Sequence, residues 1–286
     1  GRGGLVKPIP GGVYEVNEAM KRDTVHAMRT HACNLGGLIA DKIAEKAGVK
    51  SYIVDPVAVD EFEDIARISG IPQIERISLG HALNVKAVGR RAAKELGKGL
   101  DEVNLIVAHI GGGISICPLR KGKAIDYNNA NEMGPFSPER TGGLPCGDLV
   151  KLCFSGKYTL AEMKKKISGK GGLVAYLGTN DAREVQKLID AGDEKAKLIF
   201  SAMAYQIAKE IGQMATVLKG EVDAIVMTGG VSYSENITNQ VKEMVSFIAP
   251  YMVIPGEDEM LALAEGTVRV LNGEEKAKIY ENEVKL

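Results

Sequence analysis

Two apolar runs that end in glycine turns constrain this chain most: NLIVAHIGGGISI, from Asn104 to Ile116, and DAIVMTGGVSYSENI, from Asp223 to Ile237. A β-rich run that stops at glycines delivers backbone N–H groups to one point, and such concavities hold phosphate. Two of them in one chain point to a nucleotide gripped at both ends. Neither turn has a G-x-G-x-x-G opening a helix, and neither is followed by Gly-Lys-Ser/Thr, so the dinucleotide fingerprint and the Walker A loop are both disfavoured.

With 286 residues, 45% of them hydrophobic, the chain can bury a substantial core, and its length favours two lobes over one. The formal net charge is −1. No basic field exists to attract nucleic acid or an anionic membrane, and a small charged metabolite is the expected partner. Cys33, Cys117, Cys146 and Cys153 lack C-x-x-C spacing, which favours buried or incidental thiols in a reducing cytoplasm over zinc or disulfides. No apolar run approaches the ~18 residues of a membrane span, and no signal-peptide pattern is present. The opening GRGGLVKPIPGGVYEV lacks a methionine and turns on glycines with no element to turn from, so it reads as a fragment without its N-terminal part.

Helical spacing of Met28, Leu35, Leu38, Ile39 and Ile43 predicts a helix over 25–47 that stops at Gly48, and SYIVDP predicts a short buried strand ending at Asp55. A second helix is expected over 82–96, closed by Gly97, and Lys121-Gly122 suggests a hairpin. The Gly-, Pro- and Ser-rich stretch 134–147 reads as an ordered active-site loop. Helices follow over 148–154, 159–167 and 182–191, with Thr159 and either Thr179 or Asn180 as caps. The stretch 194–219 reads as a long helix with Leu198, Ala202, Tyr205, Ile207, Ile211, Met214 and Val217 as its core stripe. After the second glycine turn come a helix that Ser234 or Asn236 caps, the strand YMVIP, and a last helix over 257–271. Strands and helices alternate throughout, an α/β pattern.

His109-Ile110-Gly111-Gly112-Gly113-Ile114-Ser115 resembles the H-x-G-x-G-x-S signature of the acetate, propionate and butyrate kinases. GHALNVKAV, VDPVAVDE, GPFSPERTGGLP and GGLVAYLGTNDAREV are similar to the butyrate and branched-chain fatty acid kinase branch, and the resemblance runs from Arg2 to about Gly273. It implies an actin-like, two-lobed fold of ribonuclease-H-like units. Residues 56–261 would form the second, nucleotide-binding lobe, and 1–55 with 262–286 the remnant of an incomplete first lobe. The N-x-G-S-x-S-x-K hairpin of the family's first strand has no match here, so the activity is expected of the parent protein.

Phosphoryl transfer requires an aligned carboxylate, cations around the moving group and a metal bridging the phosphates. By resemblance, Arg2 binds the carboxylate or the phosphoryl group, where a guanidinium fork suits a planar anion. His81 hydrogen-bonds the phosphoryl oxygen in the transition state, and Glu259 holds Mg2+ with Asp55 in support. Taken alone, each has an ordinary reading: a solvated terminal arginine, a core or capping histidine, a first-turn helix acid, and a turn aspartate before Pro56. His109 and Gly111 to Gly113 are expected to line the phosphates, Asp181 and Arg183 to contact adenosine, and Thr228, Gly229 and Gly230 to sit against adenosine and the α-phosphate. Two positions depart from acetate kinases: Gly112 stands where they carry asparagine, and Pro145 where they carry a transition-state arginine, which Arg140 would replace. Both departures fit the butyrate branch.

The resemblance thus implies reversible ATP-dependent phosphorylation of a short-chain carboxylate to its acyl phosphate, with ATP/ADP and Mg2+, in a homodimer. Acetate or propionate kinase is the neighbouring alternative. A non-enzymatic actin-like ATP-binding module would keep the turns but have no use for Arg2, His81 and Asp55 together, and a dinucleotide-dependent oxidoreductase lacks its fingerprint.

Overall fold

The apolar runs that precede the glycine turns become the central strands of a mixed sheet in the computed structural model, which describes residues 1–27 and 32–284. The described strands are β1 (Val13–Glu15), β2 (Tyr52–Val54), β3 (Asn104–Ile110), β4 (Ile114–Arg120), β5 (Lys123–Ala124), β6 (Ala224–Thr228) and β7 (Tyr251–Val253). The chain forms two compact units. One comprises Gly1–Ala87, Lys123–Ile125 and Asp258–Leu286, and the other Val88–Gly122 and Asp126–Glu257. Residues 56–87, expected in the second lobe, therefore pack with the first unit.

In the first unit β1 and β2 pair antiparallel, with Val13 opposite Val54. Ile9, Tyr14, Met20, Ile53 and Tyr280 form one core cluster, and Val13, Val54, Leu83, Ala87 and Ala262 another. The helix expected over 25–47 is instead two helices, Glu18–Val25 and Leu35–Ala47; Met28 lies outside the described residues. Gly48 ends the second in the left-handed region, φ 65°, as a glycine stop does. Three of the residues that carry its apolar spacing face outward: Leu35, Ile39 and Ile43 are 55%, 54% and 65% exposed. The buried residue of this helix is Ala44, and its two glycines sit close to other segments: a Cβ on Gly36 would overlap the Arg2 carbonyl and one on Gly37 would stand 3.5 Å from Ile53 Cγ2. Close backbone approach at the glycines, rather than burial of the bulky side chains, sets how this helix is seated.

The second unit is built on a sheet in which β3 lies antiparallel to β4 and parallel to β6, and β6 parallel to β7. An antiparallel hairpin beside a parallel pair rules out the doubly wound arrangement of dinucleotide enzymes. Every residue of β3 and β6 is buried, which is why both read as unbroken apolar runs. The helix Glu194–Val217 lies on β3 and β4 through Phe200, Met203, Ile207, Ile211 and Met214. Leu198 and Tyr205, expected in that stripe, are exposed. Several apolar choices compete early in this helix, and the buried stripe there is turned by about one position from the expected one. Leu160–Ile167 starts with a full capping box between Thr159 and Glu162. Asp181, not Thr179 or Asn180, caps Ala182–Asp190, and Ser234 precedes Glu235–Val245 without a side-chain capping bond. The last helix begins at Glu259 rather than at 257.

Candidate functional site

Parallel pairing of β3 with β6 sets His109 opposite Thr228, so the two strands end side by side and both glycine turns emerge from the same edge of the second unit. The second turn can hug the first strand only through glycine. Gly229 has φ 89°, and a Cβ there would overlap the Ile110 carbonyl. Reciprocal backbone bonds at 3.0 and 3.1 Å join Gly229 to Gly256, and the Thr228 hydroxyl donates to the Gly256 carbonyl at 3.0 Å. The first turn is splinted from behind. Asn128 accepts from Ile116 N at 2.8 Å and donates to the Ile114 carbonyl at 2.7 Å, while Ser137 Oγ donates to the Gly112 carbonyl at 2.6 Å.

These elements wall a cleft of about 1040 Å³. Gly111 and Gly112 lie at one side, Gly230 at another, and Asp181 and Arg183 along the helix that faces them. The remaining expected nucleotide residues, His109, Gly113, Thr228 and Gly229, are not among those lining it. Thr228 is wholly buried and acts on the Gly256 strap, and His109, also buried, has Nε2 3.6 Å from Glu257 Oε1.

Asp181 does two jobs at the cleft wall. Its Oδ1 accepts from Arg183 N at 2.8 Å, capping the helix, and its carboxylate takes the Arg183 guanidinium at 2.6 Å from Nη2 and 3.0 Å from Nε. The Arg183 side-chain hydrogen bond, followed by the backbone one, pulls its pKa from 3.8 to about 2. A depressed carboxylate pKa means stabilisation present above the unfolded value and lost as pH falls through the folded one. The Asp181 carboxyl resonance is therefore expected to titrate near pH 2, with the cap weakening below about pH 4; a midpoint at an ordinary aspartate value would show the cap and ion pair to be absent.

Arg140 reaches the other side of the first turn. Its Nη1 donates to the Ala130 carbonyl at 2.8 Å, and a Cβ on Gly113 would overlap that nitrogen. Its Nε is buried with no hydrogen-bond partner among the described residues, and burial lowers the guanidinium pKa against a smaller opposing effect of Glu139. A desolvated guanidinium with spare donors is a site for an anion.

The first unit holds the other expected residues. Arg2 Nη1 lies 2.8 Å from Glu259 Oε1 and 3.1 Å from Oε2, so these two are brought together, each about one-third exposed. Asp55, buried with φ 38°, accepts from Gly12 N at 2.8 Å. His81 stands half-buried just before the helix Ala82–Glu95. Sequence reasoning missed their neighbour, a buried ion pair in which Lys86 Nζ lies 2.7 and 2.9 Å from the two Glu61 oxygens, which also accept from Gly11 N and Ala124 N. Both residues sit inside motifs quoted for the resemblance, GHALNVKAV and VDPVAVDE, but their spacing carries no pairing rule. Asp55 and Glu259 offer oxygen donors suited to a hard cation that keeps most of its waters. Among the described residues no three acidic, histidine or cysteine side chains gather as a complete metal cage.

The model of the acetokinase family matches residues 78–278. The chain belongs to this family. It is 58% identical over 280 residues to a probable butyrate kinase 2 of Caldanaerobacter subterraneus, covering 98% of this chain and 79% of that protein. It is equally 58% identical, over 282 residues, to butyrate kinase 2 of Clostridium acetobutylicum, with 98% and 79% covered. Among solved structures, acetate kinase of Porphyromonas gingivalis superposes with a TM-score of 0.82 at 23% identity, over 94% of this chain and 77% of that one. A propionate kinase of Francisella tularensis gives 0.75 at 21% identity, with 91% and 77% covered. The fold is thus that of the acetate kinases, and family membership implies use of ATP and ADP. No helix among the described residues is long and apolar enough to cross a membrane.

Proposed function

We propose that this acetokinase-family chain phosphorylates butyrate or a branched-chain short acid with ATP, reversibly, and that the cleft of the second unit takes the nucleotide. The observation that carries this reading is the register of His109 against Thr228, which puts two glycine turns at one cleft with the Arg140 guanidinium against the first. The 58% identity to butyrate kinases supports the choice of acid.

In the proposed reaction a carboxylate oxygen attacks the γ-phosphorus, the bond from phosphorus to the β,γ-bridging oxygen breaks, and ADP leaves. The turn Gly111 to Gly113 would lie against the phosphates, with backbone N–H groups offered by Gly112 and Gly230 while that of Gly111 is given to the Gly113 carbonyl at 3.1 Å, and Asp181 and Arg183 would hold the adenosine. Arg2 would orient the carboxylate, while His81 and Arg140 donate to oxygens of the moving phosphoryl group. Glu259, with Asp55, would hold Mg2+, which supplies charge neutralisation across the phosphates. The two compact units are read as the two lobes, in a homodimer; exposed Leu144, Val150 and Phe154 in one segment are in keeping with association. The cysteines are free thiols, in keeping with a reducing cytoplasm.

Trapping acyl phosphate with hydroxylamine across acetate, propionate, butyrate and isobutyrate is the test. Product should form fastest with the four-carbon acids. Fastest product with acetate would move the chain to the acetate kinase branch, and binding of ATP without product from any acid would favour the non-enzymatic module.

A further inference from the structure

One wall of the cleft is held by a chain of four side chains that no phosphate-binding argument uses. Gln240 Nε2 donates to Asn236 Oδ1 at 2.6 Å, Asn236 Nδ2 donates to Gln186 Oε1 at 2.8 Å, and Gln186 Nε2 donates to Asp190 Oδ1 at 2.8 Å. Asn236 and Gln186 line the cleft; Asp190 and Gln240 stand behind them on the helices Ala182–Asp190 and Glu235–Val245.

An amide in isolation can flip and exchange donor for acceptor at little cost, whereas in this chain a flip sets acceptor against acceptor and donor against donor. The Asp190 carboxylate only accepts, so Gln186 must turn its NH2 to it and its carbonyl to Asn236. Asn236 must then turn its NH2 to Gln186 and its carbonyl to Gln240. Each of the two cleft-lining amides uses one N–H and one lone pair within the chain. One of each remains, in a fixed order.

That order matters to a purine. Adenine presents a donor, its exocyclic amine, beside an acceptor, ring N1; guanine presents an acceptor, O6, beside a donor, N1–H. An amide that can flip serves both, and an amide held one way serves one. We propose that Asn236, polarised through Gln186 by Asp190, selects adenine over guanine in this cleft, with Asp190 and Gln240 as positioning residues. The proposal rests on the cleft being the nucleotide site. It is the polarity of the chain, beyond the presence of Asn236, that would carry the selection.

The test compares ATP with GTP in the acyl phosphate assay and ADP with GDP by calorimetric titration. Wild-type protein should favour adenine by roughly 10- to 100-fold, the discrimination of one bidentate amide–base pair. Asp190→Asn, at an exposed helix end, can donate as well as accept, so the chain regains its freedom to flip. The ATP/GTP ratio of kcat/KM should then fall at least ~5-fold, chiefly through improved KM for GTP. D190N/Q240E places the acceptor-only group at the opposite end and should turn the ratio further toward GTP. Equal wild-type use of ATP and GTP, or an unchanged ratio in both variants, would overturn the proposal while leaving the nucleotide site standing. So would loss of ADP and GDP affinity by the same factor, which is what a merely structural Asp190 would give. Binding of neither nucleotide to wild-type protein would overturn the site reading and the proposal together.

Discussion

Replacing Arg140 by alanine is expected to lower kcat by roughly 10²- to 10³-fold, the loss typical of one preorganised donor to developing charge. The expectation rests on how little else holds this side chain. Burial of the guanidinium is opposed only by a smaller effect of Glu139, a single carbonyl bond at 2.8 Å ties it down, and its Nε is left without a partner among the described residues. A cation kept in that condition costs stability unless an anion arrives to use it. The apo protein with Arg140→Ala should therefore be no less thermally stable than wild type, even as turnover collapses. Arg140→Lys keeps the charge but not the fork and should recover only part of the rate. A kcat within about threefold of wild type in the alanine variant, with ADP still bound, would return Arg140 to a loop-packing role.

Lys86→Met should destabilise the first unit by about 3–5 kcal/mol, because it strands a buried carboxylate. Lys86 and Glu61 are only 6% and 10% exposed at their side chains, and the carboxylate is gripped from both sides by backbone donors that cannot follow it into solvent. Their geometry reaches further than their own bond. A Cβ on Gly11 would overlap Lys86 Nζ and stand 3.1 Å from Asp55 Oδ1, so the ammonium, the turn and the expected magnesium-supporting carboxylate share one spot. The urea midpoint is expected to drop by about 1–2 M at a slope near 3 kcal/mol per molar. Adding Glu61→Gln should recover much of the loss, since the double variant leaves no charge unpaired. A K86M midpoint equal to wild type would mean that water reaches Glu61 freely and the pair is not buried in solution.

Much of the architecture is legible in the amino-acid sequence. β3, β6 and their glycine turns stand where the apolar runs predict them. Gly48 and Gly97 close their helices at φ 65° and 72°, and Thr159 caps its helix through the box with Glu162. Each of these follows from a few adjacent residues: an unbroken apolar run, the missing Cβ of glycine, a side chain reaching three residues along. Fold and family came from the same local strings, which is why HIGGGIS and GTNDAREV sufficed for them.

Long-range choices are not legible there. Leu35, Ile39 and Ile43 make as good a stripe as any core helix, yet all three are exposed while Gly36 and Gly37 lie against the backbone of Arg2 and the side chain of Ile53, which arrive from elsewhere in the chain. The same holds for Arg2 with Glu259, 257 residues apart, for Lys86 with Glu61, and for Asn236 with Gln186. Sequence alone determined where most strands and helices begin and end and which turns demand glycine, since those depend on local sterics and hydrogen bonds. Only the tertiary structure decided which face is buried, which charges pair and which way an amide points, since each depends on a partner whose position the local sequence does not contain.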